Sequence, residues 1–543
     1  MTRAKLAPRL GFGLLITFFV VAAVSVALHG RRAAASGVVT IRFAHWQLES
    51  GLRTAYDALA ARYMELHPNV RVEQMAIPET VYGSWLLTRL IGRTAPDLIE
   101  FGHVPTGVGD ELLARNFVPL TAELEKPNAY NVGTPLAGVP WRQTFLDGLD
   151  GVYRSSNLQD YYKVPMSLFT VRIYYNRALW QSLLGDTPEP KTFKELEAVA
   201  HRVQGSKRES GQTLFALAGS ANSFQPVDQL MGSQTQRLAL TLDADHDFYA
   251  TGPEIALGAL RGEWDLDNPA LGHGLELVRS LFQMMPTGAR QLTRSDAIFL
   301  FVQQRALMIP AGSWDATSLT SQAPFEIGVF RLPLPATDDP VYGPAMLGSD
   351  TSEADLRAEG SFSLWNGSPH PEVALDFLRF ITSQPGSRLF VQKSHWLSAI
   401  MGVEPDETFR VFMPHLDGIP NGFDAKLGNI GPEVRRVWES SEDLLGGQGD
   451  GVAAFRAAYR AQFRPALLSD LARWVKVARA SAVQQDTTIA ALRQLADTGP
   501  EAENAQQKFS SLFQQQNRQE AEAAWIAGEL KKAAAAPPSA AGP

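Results

Sequence analysis

The sequence predicts an α/β protein made of layered sheets and crossover helices. Three observations carry this. Strand and helix patterns alternate from residue 38 onward, the alternation resumes past residue 160, and the composition is that of an ordinary globular chain, 45% apolar and 20% charged over 543 residues. At ~150 residues per domain the length leaves room for three or four domains. A chain this long buries most of its apolar surface without covalent staples. Cysteine is absent, which excludes disulfides, thiolate metal sites, a cysteine nucleophile and a thioether lipid anchor. With 49 Lys+Arg against 57 Asp+Glu the net charge is -8, and this argues against a nucleic-acid partner, which calls for a basic face.

The elements follow in order. Residues 38–44 (Val-Val-Thr-Ile-Arg-Phe-Ala) are β-branched and partly alternating, a strand. Thr54 to Leu66 carries its apolar residues on one helical face and stops at Pro68. Strand alternation returns at Val70–Ile77, a helix runs from Tyr82 to Ile91 and ends at Gly92, and Asp97–Phe101 is a third strand, followed by a short helix over Glu111–Ala114. Strand, helix, strand, helix, strand calls for parallel pairing with crossover helices. Further strands are expected at Tyr162–Pro165 and Val171–Tyr175, with a helix from Arg177. Thr192 with Glu195 three residues on forms a capping box, and Asn268-Pro269 opens a helix to about Met284. Ala306–Ile309 and Ile327–Phe330 read as strands, and Glu372–Phe390 as one amphipathic helix. Beyond Pro420 the composition shifts. Phe455, Tyr459, Phe463, Leu467, Leu471 and Trp474 form a helical stripe that Pro465 kinks, a last helix spans about Glu501–Lys532, and 533–543 is a low-complexity tail.

The N-terminus carries the localisation signal. Arg3, Lys5 and Arg9 precede an uncharged run from Leu10 to Leu28, and Arg31 and Arg32 follow it. At ~1.5 Å per residue the run spans roughly 28 Å, near the ~30 Å of a hydrocarbon core. Ala33-Ala34-Ala35 supplies the small residues of a cleavage site. Both a cut signal peptide and a retained anchor fit, and either places the rest of the chain beyond the cytoplasmic membrane.

No catalytic motif stands out: H-E-x-x-H, G-x-S-x-G and the P-loop lysine pattern are all missing. Asp243, Asp245, Asp247 and Glu254 mimic a calcium-loop spacing, but Phe248 occupies the position where the sharp turn needs glycine and Pro253 interrupts the end. A solvated acidic loop is the better reading, and neither metal nor cofactor is expected.

Several segments in sequence order resemble the extracellular solute-binding proteins of ABC importers, in particular the carbohydrate-binding, maltose-binding-protein-like class. They are the strand ending in His45-Trp46, then His67-Pro68-Asn69-Val70, Ala95-Pro96-Asp97-Leu98-Ile99, Asn116-Phe117-Val118-Pro119-Leu120, Val164-Pro165 leading into Ile173-Tyr174-Tyr175-Asn176-Arg177, Phe301–Met308, Gly312-Ser313-Trp314, Gly360–Trp365 and Pro371–Leu378. The resemblance covers roughly 38–400. It implies a two-lobed periplasmic-binding-protein-like (type II) fold with a hinge and an interlobe cleft, to which this chain adds C-terminal helices. The expected division is 1–37 signal or anchor, 38–147 plus about 297–345 for lobe I, about 148–296 plus 346–405 for lobe II, about 406–532 helical, and 533–543 tail. It further implies a non-catalytic, monomeric receptor that hands a sugar to permease subunits. A secreted carbohydrate-active hydrolase and a membrane-anchored sensor or scaffold remain as alternatives.

A sugar presents apolar C–H faces and a hydroxyl rim, so its receptor needs flat aromatics and polar groups together. Ligands in open α/β sheets sit beyond the carboxyl ends of strands. That rule selects Trp46 and Gln47 after the first strand, Phe101 and His103 after the third, and Trp314 with Asp315 after the strand near Ile309. The resemblance adds Phe169 and Arg172 from the second lobe and Phe362 and Trp365 beside Gly360, with Trp396 as a looser candidate.

Overall fold

The computed structural model describes residues 37–535 apart from short stretches at 105–108, 147, 150–153, 156–159, 208–210, 221–223, 247, 349–350, 354–357, 425, 448 and 499–501. The apolar run at 10–28 therefore lies outside the described residues, and among those described no helix is long and apolar enough to cross a membrane.

The first half of the molecule is built on β1 (Val39–His45), α1 (Ser50–Leu66), β2 (Val70–Ala76), α2 (Glu79–Ile91) and β3 (Leu98–Glu100). β1 pairs parallel with both β2 and β3, as the crossover helices require. Buried Ile41 and Phe43 on β1 meet Leu52, Tyr56, Leu59 and Tyr63 on the inner face of α1. The second half begins with β4 (Val171–Asn176), α3 (Arg177–Leu184), α4 (Phe193–Val203) and β5 (Phe215–Leu217). Both halves of the Thr192/Glu195 capping box are in place on α4. Three helices follow, α5 (Phe224–Leu242), α6 (Gly252–Arg261) and α7 (Pro269–Gln283), then α8 (Arg294–Val302), β6 (Ala306–Gly312), α9 (Ala316–Gln322) and β7 (Ile327–Phe330).

The sheets join distant parts of the chain. β6 and β7 do not return to the first sheet: the second sheet runs β7-β4-β6-β5, with β4 antiparallel to both its neighbours. The strand that returns to the first sheet is β8 (Phe362–Leu364), which lies antiparallel on β3. Strands from 297–345 thus pair in the second sheet and Phe362–Leu364 in the first, while Ala358–Glu359 and Leu397–Ser398 pair with Ser167–Leu168. The second sheet is apolar on both faces. Ile173 and Tyr175 face the core of the helices α3–α7, whereas Tyr174, Ile309 and Ala311 belong to the core around the first sheet.

The single helix expected over 372–390 is two, α10 (Pro371–Ile381) and α11 (Gln384–Ser394). Ser383 is extended and its hydroxyl accepts the Gly386 N–H, so the break carries its own N-cap ahead of Pro385. Past residue 430 come α12 (Pro432–Ser441), α13 (Gly451–Thr498, with Pro465 inside it) and α14 (Ala502–Ala535). Phe455, Tyr459, Leu467 and Leu471 of the expected stripe are buried against Trp438 of α12 and the helices of the second half, while Trp474 is more than a third exposed.

Candidate functional site

β1 ends at His45, and the chain turns there because Glu100 holds it. The fully buried Glu100 carboxylate accepts the Trp46 N–H at 3.2 Å, the Gln47 side-chain amide at 3.1 Å and the Gly360 N–H at 2.9 Å. The Trp46 indole lies across Gly102, where a Cβ would overlap the ring, so only glycine admits it. Tyr82 and His103 meet the same ring edge-on at 5.1 and 4.6 Å.

The facing wall comes from the second half. β6 ends at Gly312, and Trp314 folds back over it, again where a Cβ would overlap the indole. Phe169 meets Trp314 edge-on at 4.9 Å. The Arg294 guanidinium sits 5.6 Å over the Trp314 ring and pairs with Asp315, its Nε donating at 3.1 Å, with Glu49 3.9 Å away. Burial opposes the Arg294 charge, but Asp315 and Glu49 outweigh it and hold its pKa above the ordinary value. Burial pushes the Glu49 carboxyl up. Between the walls is a cavity of about 580 Å³ whose lining includes Trp46, Gln47, His103, Phe169, Trp314, Asp315 and Trp396. Flat rings on opposing walls, with acids, amides and a guanidinium between them, can grip a polar ring compound by its faces and rim.

The profile of the bacterial extracellular solute-binding proteins matches residues 49–387. The chain belongs to that family. A multiple sugar-binding protein of Streptococcus mutans is 22% identical over 348 residues, covering 63% of this chain and 71% of that protein. Among solved structures, RafE in complex with raffinose aligns over 79% of this chain and 100% of its own, at 17% identity and a TM-score of 0.51. The GacH receptor of Streptomyces glaucescens aligns over 79% and 99%, at 16% identity and a TM-score of 0.53. At those identities the structural likeness speaks for the fold, and the profile match speaks for the family.

Four expected contact residues of this solute-binding protein lie away from the cavity. Phe101 turns into a small cluster and packs edge-on against Phe117 at 5.4 Å. Trp365 belongs to that cluster and is buried. Phe362 is fully buried between Phe43 and Tyr56, because β8 joins the first sheet. Arg172 is 1% exposed and engages the Glu353 carboxylate at 2.7 and 3.0 Å and the Val411 and Met413 carbonyls at 2.7 and 2.9 Å. In the acidic loop, Asp243, Asp245 and Glu254 have oxygens within 4.8 Å of one another. Glu254 is the capping-box residue of α6 and also accepts the Ala244 N–H, and Asp243 accepts the Phe248 N–H. Asp247 lies outside the described residues.

Sequence reasoning missed Glu49, Glu79, Ser220, Gln225 and Arg294, all of which line the cavity. Glu49 and Asp315 occupy the N-cap positions of α1 and α9, neither with a side-chain cap bond, and Glu79 opens α2. Each cleft carboxylate therefore sits at the positive end of a helix, worth about half a charge, which is a signal that helix-start patterns do contain.

His45, just behind the Trp46 turn, gives the protein an acid limit. Gln74 donates to the Arg53 carbonyl and to Asp57, so its oxygen faces His45 Nε2 at 2.9 Å and receives that N–H. Burial lowers the His45 pKa from 6.5 to about 4, against the opposing pull of Gln74. A depressed histidine adds stability that is complete above its unfolded pKa and is lost as pH falls through the folded one. Between pH 6.5 and 4 the unfolding free energy is expected to drop by about 3 kcal/mol on this account. Denaturant midpoints across that window, compared between wild type and His45→Gln, measure it: the variant should show a shallower decline, and parallel curves would refute the assignment.

Proposed function

We propose that the protein is the exported receptor of an ABC importer, that it takes a carbohydrate of oligosaccharide size into the cavity between the two sheets, and that it passes this cargo unaltered to membrane permease subunits. The observation that supports this most is the aromatic wall pair, Trp46 on one half and Trp314 with Phe169 on the other, facing one cavity of about 580 Å³. The relatives, among them a multiple sugar-binding protein and a raffinose-bound receptor, point the same way. Turnover is not part of the proposal: Arg294 pairs with Asp315, and no catalytic motif accompanies Glu49 and Glu79. The apolar run at 10–28 serves export, and the mass of the exported protein distinguishes a cut signal from an anchor.

The test is a thermal-shift screen of the full exported chain against a panel of mono- to tetrasaccharides. A ligand that binds only the folded state at 100 times its Kd adds about 2.7 kcal/mol and must raise Tm. At least one oligosaccharide should do so, and should be recovered intact. Absence of any shift across the panel, or appearance of cleaved sugar, would overturn the reading.

A further inference from the structure

The C-terminal helices do more than complete a core. The first half of α13 is embedded in the second half of the molecule through Val452, Phe455, Tyr459, Leu467 and Leu471. Its Asp470 carboxylate accepts the Glu433 and Val434 N–H groups at 3.2 and 2.8 Å and so caps α12. At the far end of the chain, Ile526 of α14 joins the same core. Nearby, Arg261 of α6 pairs with Glu529 at 3.1 Å and lies 5.1 Å over the Trp525 ring. Between these anchors the rest of α13 and α14 pack on one another, with Ala482, Ile489, Ala505 and Leu512 buried between them and Gln516 bonded to the Ala482 carbonyl at 2.8 Å.

This arm ends on the other half of the molecule. Lys508 Nζ donates to Asp160 Oδ1 at 2.9 Å, and that pair is largely shielded, 28% and 13% exposed. Asp160 also accepts the Thr121 hydroxyl at 2.7 Å. Its neighbour Tyr161 is buried in the core around the first sheet, with its carbonyl taken by the Leu120 N–H. From Lys508 to Ile526 the helix covers roughly 27 Å at 1.5 Å per residue. A paired helical arm rooted in one half thus has its foot on the other. Any change in the angle between the walls of the cleft must carry the foot along or break it.

We propose that the α13–α14 arm is a strut that sets the angle between the two halves of the cleft, with the Lys508–Asp160 ion pair as its releasable foot. The proposal concerns the hinge rather than the cargo and requires no ligand for its test, so its failure would leave the receptor reading untouched.

The chain has no cysteine, so two introduced ones are unique labelling sites. Ala61 on α1 and Ser182 on α3 are exposed and belong to different halves. Spin labels on Ala61→Cys and Ser182→Cys report the inter-half distance distribution by double electron–electron resonance. Lys508→Gln is expected to broaden that distribution about twofold by releasing the restrained populations. The charge-swapped pair Lys508→Asp with Asp160→Lys should restore it. Circular dichroism checks that every variant retains its helix content. An unchanged or narrower distribution in a folded Lys508→Gln protein, or a charge swap that leaves it broad, would overturn the proposal.

Discussion

Replacing Arg172 by leucine is expected to lower the unfolding free energy by about 3–5 kcal/mol, the usual cost of leaving a buried charge without its partner. Glu353, 13% exposed, would keep its carboxylate beside an apolar side chain, and two carbonyls, of Val411 and Met413, would lose their donors. Burial alone would lift the Glu353 carboxyl; the Arg172 hydrogen bonds and charge, with the His415 N–H, reverse that and hold its pKa below the ordinary value. A depressed carboxyl contributes stability above its unfolded pKa and loses it as pH falls, so the wild type should approach the variant in acid. The double variant Arg172→Leu with Glu353→Leu should recover much of the loss, since a buried pair is often replaceable as a unit. Urea midpoints of the two singles and the double measure this. A single-site loss below about 1 kcal/mol would show the pair to be solvated.

Trp314→Ala and Trp46→Ala are expected to weaken whichever sugar the thermal screen identifies, while sparing the fold. Shielding about 100 Å² of a sugar face at ~25 cal/mol per Å² is worth about 2.5 kcal/mol, roughly 70-fold in Kd for each ring. Trp365→Ala supplies the contrast. Its ring is buried in the cluster of Tyr82, Leu86 and Phe117, so truncation should cost about 3–5 kcal/mol of stability and leave the affinity of the folded fraction unchanged. Calorimetric titration paired with denaturation of all three variants separates the two kinds of tryptophan. Equal affinity losses at all three would contradict the placement of the cavity.

What local patterns expose, the sequence shows well. Ile327–Phe330 is a strand with the bounds its alternation predicts, and the Thr192/Glu195 box opens α4 as expected. The strand-end rule, which needs only a strand boundary, leads to Trp46, Gln47, His103, Trp314 and Asp315 on the cavity wall, but also to Phe101, which turns away into a separate cluster. Arg172 has no such local rule. Alternation assigns a side chain to a face, but the partner that makes the face habitable, Glu353, is 181 residues away. Phe362 failed for the same reason: its strand matches either sheet, and only the open edge of β3 decides. Glu49 and Arg294 begin helices, so their local pattern reads as capping and conceals their position on the cavity wall.

The closure of the first sheet has a consequence for biogenesis. β3 cannot be completed until β8 arrives, and the Gly360–Glu100 bond that fixes the Trp46 turn joins residues 260 apart. A nascent N-terminal segment therefore lacks the means to lock its own sheet, and contacts so distant along the chain form slowly. That delay keeps the early part of the chain pliable until the late part has been made.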